Sequence, residues 1–199
     1  MKPGTHKKAW YVINGITLYR VIAAPFLLVL LFTGRYELFK WLLVLSFFTD
    51  LIDGFLARKF KVTSVAGTRL DSLGDDLTIL VAMTGLFVMK PEFIKQEKIA
   101  FIILLALFLV QTIYAFIRYG KMTSFHTWLA KAAAIFQGVF LLLVFFTGEP
   151  NMILFYTAVL VTMLELIEEI ILVYLLPVWE TDVKGIIQLF KKKKQEASK

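Results

Sequence analysis

The sequence predicts an all-α fold, a polytopic membrane protein of about six transmembrane helices preceded by a short N-terminal interfacial helix. Three observations carry this. Of the 199 residues, 59% are hydrophobic and 19% charged, with a mean hydropathy of +0.75. A soluble domain of this length has too little interior to hide so much apolar surface. Apolar stretches of about 20 residues, enough to cross a hydrocarbon core, recur along the chain. The links between them are short and leave no room for a separate soluble domain, so residues 1–199 read as one membrane domain.

Each span can be taken in order. Residues 1–14 carry Lys2, Lys7 and Lys8 ahead of Trp10 and Tyr11, a composition suited to a membrane interface. Positive charge before an apolar run resembles a signal peptide, but no small-residue cleavage site follows and Arg20 and Pro25 interrupt the core, so the segment reads as retained. The first span is "GITLYRVIAAPFLLVLLFTG" (Gly15–Gly34) and the second "YELFKWLLVLSFFTDLIDGFLAR" (Tyr36–Arg58). The third, "GTRLDSLGDDLTILVAMTGLFVM" (Gly67–Met89), begins polar and turns apolar, as a helix does when it leaves a wet pocket for lipid. Ile99–Tyr119, Trp128–Phe146 and Met152–Leu176 complete the six. Residues 184–199, with Lys191–Lys194, are expected to fray as a basic cytoplasmic tail near anionic headgroups.

Basic residues orient the bundle. With the N-terminus inside, the inner side collects Lys2, Lys7, Lys8, Arg58, Lys59, Lys61, Arg118, Lys121, Lys184 and the lysine run. The outer side holds Arg35 and Lys40, then Lys90, Lys95 and Lys98 diluted by Glu92 and Glu97, then "TGEPN" with no Lys or Arg. Both termini are therefore expected in the cytoplasm. The absence of cysteine removes disulfides and thiolate metal sites, and His6 and His126 lie too far apart in sequence to suggest a histidine-rich zinc site. A net charge of +7 in such a chain reflects cytoplasmic loops and anionic lipid, not nucleic acid.

The chemistry is concentrated where the second span ends and the third begins. Asp50 and Asp53 are three apart and Asp71 and Asp75 four apart, so each pair shares a helix face. A short cytoplasmic link makes the two helices antiparallel neighbours, which lets all four carboxylates converge near the inner membrane surface. Together and unpaired, some would be forced to stay protonated; hard divalent cations resolve this, and oxygen-only donors suit Mg²⁺ or Mn²⁺. Gly54 and Gly67 leave backbone open to close approach, and Arg58 is a planar, permanently charged partner for phosphate. Metal, arginine and bare backbone together suit a diphosphate. A lone membrane aspartate would read as a helix-pairing or ion-pathway residue; four at these spacings do not.

Read as D-x2-D-G-x2-A-R-x8-G-x3-D-x3-D, the segment "DLIDGFLARKFKVTSVAGTRLDSLGD" (Asp50–Asp75) resembles the signature of the CDP-alcohol phosphotransferase family at every defined position. The six-helix layout is similar to that family over most of the chain. The resemblance implies an enzyme of phospholipid synthesis that moves a phosphatidyl group from CDP-diacylglycerol to the hydroxyl of a small alcohol and releases CMP. It implies that Asp50, Asp53, Asp71 and Asp75 hold two Mg²⁺ or Mn²⁺ ions, with Asp75 also the catalytic base. Gly54, Ala57, Arg58 and Gly67 would receive the CDP portion. A homodimer is implied by the same resemblance, and the distribution of basic residues sets the site, with membrane lipids around it, on the cytoplasmic side.

Other residues carry two readings. Thr17 and Arg20 resemble a Thr-x2-Arg stretch of the family's first helix and are candidates for contact with a donor phosphate; the alternative for Arg20 is a snorkelling arginine. Arg118, Lys121, His126 and Lys131 form a candidate patch for a phosphate on the acceptor, or an ordinary positive-inside loop. Asp76, about 100° around the helix from Asp75, reads as a supporting or solvated residue. Glu165, Glu168 and Glu169 are expected to pair with Lys131 or Arg20, or to line the acceptor pocket. The acceptor stays open among glycerol phosphate, serine, inositol or its phosphate, and other polyols. A CDP-linked head group with a lipid alcohol acceptor is an alternative within the family. From another class, a cation transporter or channel would spread its acids along a path, whereas these four lie in one block.

Overall fold

The first helix is longer than one span requires. In the computed structural model of the protein, described for residues 3–60, 65–123, 125, 127–180 and 183–197 (side chains for 15–49, 52, 73–74, 77–123, 125, 127–180 and 183–191), α1 runs unbroken over Pro3–Phe32. Its 30 residues rise about 45 Å, against a hydrocarbon core of about 30 Å. The apolar window Gly15–Phe32 is long enough to cross a membrane, and the residues before it continue the same helix. Pro25 sits inside α1 on an exposed face. The helix stops at Gly34, whose φ of 73° is favourable only without a Cβ. There Arg35 N–H bonds the Leu30 carbonyl at 2.8 Å and Gly34 N–H the Leu31 carbonyl at 3.2 Å, a Schellman termination.

Seven further helices follow among the described residues: α2 (Tyr36–Phe60), α3 (Val65–Met89), the short α4 (Pro91–Gln96), α5 (Lys98–Tyr119), α6 (Trp128–Thr147), α7 (Met152–Leu175) and α8 (Ile186–Ala197). The apolar window of α1, α5 and α6 are long and apolar enough to cross a membrane. Helices α2, α3 and α7 have comparable lengths of 25, 25 and 24 residues, but each carries three carboxylates. The apolar part of α3 is confined to Leu77–Met89, beyond its acidic opening. Termini are capped locally: Thr127 accepts from Ala130 N–H at 3.0 Å to start α6, and Asn151 accepts from Leu154 N–H at 3.0 Å to start α7. Left-handed Gly120 and Gly148 end α5 and α6.

Packing gathers these helices into two compact units, Met1–Glu92 and Phe93–Lys199. In the first, α1 packs along both α2 and α3, whereas α2 and α3 meet over a shorter stretch. Its core is built from Leu27, Leu31, Phe39, Leu43, Val81 and Leu86, all essentially without exposure. In the second, α7 packs against α5 and α6, and α8 packs on α7. Phe93, Phe101, Phe140 and Phe155 interlock near one end, and Ala115, Leu172, Val173, Leu176 and Leu189 form the core at the other. Many large apolar side chains remain outward along the helices, Ile22, Ile117 and Ile153 among them, the pattern of a surface solvated by lipid.

The lysine-rich C-terminus departs from the expected fraying. It is helical, and Leu189 is buried in the second core. An apolar side chain three residues after Ile186 supplies the anchor that lysines alone would lack.

Candidate active site

The signature aspartates lie on helices that pack against each other: Asp50 and Asp53 on the last turns of α2, Asp71 and Asp75 on the first turns of α3. The two pairs thus flank one connection. Their side chains lie outside the described residues, as do those of Gly54, Ala57, Arg58, Gly67 and Asp76; His126 lies outside them altogether. The donor chemistry suits a divalent ion: four carboxylates, all oxygen, on two mutually packed helices, with no softer ligand among the signature positions.

The described residues beside this block are specific. Arg20, on α1, is 1% exposed, so it is not a snorkelling arginine. A Cβ placed on Gly74 would stand 3.4 Å from Arg20 Cζ and 3.5 Å from Nε, so the Arg20 side chain lies against α3 at Gly74. Thr17, one turn before Arg20, is buried with it. The buried Thr78 hydroxyl donates to the Gly74 carbonyl at 2.7 Å, fixing the α3 side of the contact. On α2, the hydroxyl of Ser46 is buried one turn before Asp50 and has no hydrogen-bond partner among the described residues. Sequence reading passed over both Gly74 and Ser46. Gly74 is not a defined position of the signature, and a single serine in an apolar helix carries no signal.

The basic residues of the second unit are held by structural contacts. Arg118 Nε donates to the Leu176 carbonyl at 3.2 Å, and the Tyr119 hydroxyl lies 2.9 Å from the same oxygen, together closing the C-terminal end of α7. The Lys121 ammonium sits 4.0 Å from the Trp179 ring centroid, and Lys131 lies 4.8 Å from that of Trp128. The glutamates of α7 divide their roles. Glu169 Oε2 accepts from Gln111 Nε2 at 2.7 Å and from the Thr123 hydroxyl at 3.0 Å, and Gln111 also donates to Thr123 at 2.7 Å. Glu168 Oε1 accepts the Ile186 N–H at 3.1 Å, at the start of α8. The expected pairing of these acids with Lys131 does not form: neutral donors satisfy Glu169, and Lys131 lies over an indole.

A family model described as CDP-alcohol phosphatidyltransferase matches residues 10–164, which include the whole signature, Thr17, Arg20 and the α5–α6 connection. The chain belongs to that family. Together with three helices among the described residues that are long and apolar enough to span a bilayer, this makes the phosphatidyltransferase-family chain an integral membrane protein.

Curated relatives align over shorter segments. A CDP-diacylglycerol–glycerol-3-phosphate 3-phosphatidyltransferase of Sodalis glossinidius is 40% identical over 75 residues, covering 34% of this chain and 39% of the relative. Its counterpart in Cereibacter sphaeroides is 33% identical over 89 residues, 41% of this chain and 40% of that one. A cardiolipin synthase (CMP-forming)/mitochondrial hydrolase fusion protein of Schizosaccharomyces pombe is 37% identical over 71 residues, 36% of this chain and 12% of the relative. The chain thus spans 40% or less of the length of each of these three. No solved structure matches it.

Proposed function

We propose that this protein transfers a phosphatidyl group from CDP-diacylglycerol to a hydroxyl of glycerol 3-phosphate and releases CMP. The observation that carries the reading is the complete signature, Asp50 to Asp75, on two packed helices inside the family-matched region. The choice of acceptor rests on bacterial relatives named for glycerol 3-phosphate.

In this reading Asp50, Asp53, Asp71 and Asp75 hold two Mg²⁺ or Mn²⁺ ions. Bound there, such ions would neutralise a diphosphate and stabilise charge on the departing phosphate. Gly54, Ala57 and Gly67 present backbone to the nucleotide, with Arg58 on the donor's phosphates. Thr17 and Arg20 approach the donor from α1, where the buried guanidinium next to Gly74 is already desolvated and directional. Asp75 takes the proton from the acceptor hydroxyl. The oxygen so freed bonds to the phosphatidyl phosphorus, and the bond from that phosphorus to the bridging oxygen of the diphosphate breaks, the electron pair leaving with CMP. The site opens to the cytoplasm, where nucleotide and acceptor are dissolved, and the assembly is a homodimer.

The test is to incubate the purified protein in detergent with labelled CDP-diacylglycerol and a panel of acceptors, following CMP release and identifying the lipid product. Glycerol 3-phosphate is expected to give phosphatidylglycerol phosphate, and Asp75→Asn to abolish it. CMP release that persists in Asp75→Asn would overturn the mechanism, and a product formed only with another alcohol would overturn the acceptor.

A further inference from the structure

Within the second unit, one end gathers features that the proposed reaction does not use. There α5 finishes at Arg118 and Tyr119 beside the end of α7, Trp179 Nε1 donates to the Met122 carbonyl at 3.0 Å, and Trp128 N–H bonds the Lys184 carbonyl at 3.3 Å. These contacts fix the level at which three helices terminate, and two tryptophans mark it, as they do at membrane–water interfaces. Arg118, Lys121, Lys131 and Lys184 lie at this end, whereas the opposite end sets Lys95 and Lys98 against Glu97 and Glu149.

Helix α8 begins at this level and is secured there. Gly185 has a φ of 132°, and a Cβ on it would fall 2.9 Å from Glu168 Oε1. Only glycine lets the Glu168 carboxylate reach the Ile186 N–H, where it meets the positive end of the α8 dipole. Leu189, 8% exposed, fastens the first turn to the core. Beside that anchored side, Ile187 is 73% exposed and Phe190 55%, next to an exposed Lys191 and on the helix that carries Lys192, Lys193 and Lys194. Water is a poor solvent for two large apolar side chains so placed. Anionic lipid suits both chemistries at once, acyl chains for Ile187 and Phe190 and headgroup phosphates for the lysines. Helix α8 also lies beyond the family-matched residues 10–164.

We propose that the face of α8 bearing Ile187, Phe190 and Lys191 docks on an anionic lipid surface, held at that level by the Glu168–Gly185 junction. The inference stands independently of the transfer reaction.

The test exploits the absence of native cysteine. Ile187→Cys in the full chain, labelled with an environment-sensitive fluorophore, is reconstituted into phosphatidylcholine vesicles with or without about 30 mol% phosphatidylglycerol, each containing a brominated phosphatidylcholine quencher. Quenching is expected to be at least about twofold stronger in the anionic vesicles. It should fall to the zwitterionic level when Lys191–Lys194 are all changed to Gln, and in the parent near 1 M salt, where the Debye length is about 3 Å. A label at Ile153→Cys, which is 83% exposed at the opposite end of α7, should be quenched equally in both vesicles. Equal quenching of the Ile187 label in the two vesicle types, or insensitivity to both salt and the Gln variant, would overturn the proposal. Concentration-dependent shielding of the label in detergent would overturn it in favour of a second copy of the chain as the occupant.

Discussion

Arg20 and Gly74 are in van der Waals contact across the α1–α3 interface, with 3.4 Å between Arg20 Cζ and the point where a Gly74 Cβ would stand. That distance is ordinary for a methyl group, and alanine is better than glycine in a helix interior by about 0.5–1 kcal/mol. Gly74→Ala is therefore expected to fold normally and retain transferase activity within about threefold. Gly74→Leu forces the buried guanidinium aside, and kcat/KM for CDP-diacylglycerol should drop at least about tenfold, equivalent to about 1.4 kcal/mol. Equal activities for the two variants would show that Arg20 has no part in donor handling.

The proposed carboxylate site predicts metal dependence. An all-carboxylate site holds hard cations loosely enough for a chelator to strip them. Excess EDTA should abolish CMP release, and Mg²⁺ or Mn²⁺ added beyond the chelator should restore it. Asp53→Asn removes one negative charge from the set and should raise the metal concentration needed for half-maximal activity by about tenfold or more. Activity unaffected by EDTA after exhaustive dialysis would rule out the carboxylate-metal reading.

The Gln111–Thr123–Glu169 network joins α5, the α5–α6 connection and α7 through a buried carboxylate. Gln111→Leu leaves Glu169 short of a donor where water cannot easily replace it. The expected loss is about 1–3 kcal/mol, visible as a lower unfolding temperature in detergent. Thr123→Val should act in the same direction, and the double variant should cost less than the sum because both side chains serve one oxygen. Strict additivity would mean that the two act separately.

Gly185→Ala places a methyl 2.9 Å from Glu168 Oε1 and strains a backbone at φ 132°. The Glu168 contact to Ile186 should break and α8 should detach from α7, exposing the segment around Val183 to limited proteolysis. Glu168→Gln, which keeps an acceptor oxygen but loses the charge, should release α8 less. Equal protease resistance in the parent and Gly185→Ala would show that the junction does not hold the helix.

Sequence alone exposed the parts of this protein that depend on local chemistry. The Asp50–Asp75 spacing and the apolar windows of α1, α5 and α6 are written in consecutive residues. Short α4 has one local signal, Pro91 at the first helical position that proline favours. Partners distant in the chain were not readable. Gln111 and Glu169 are 58 residues apart, and nothing near either position specifies the other. Nor did the pattern of charge show that Arg118 would bond the end of α7, since a basic residue closing a helix and one greeting a phosphate look alike until the carbonyl beside it is seen.

The position of α1 has a mechanical consequence. Two helices that carry the acids meet each other briefly, while a third that carries none of them packs along both. Leu27 and Leu31, each 1% exposed, lie in the core of that packing, so α1 braces both acid-bearing helices as a keel braces ribs. Trimming Leu27 or Leu31 to alanine therefore weakens the brace without touching an aspartate, at a cost of about 2–5 kcal/mol in stability.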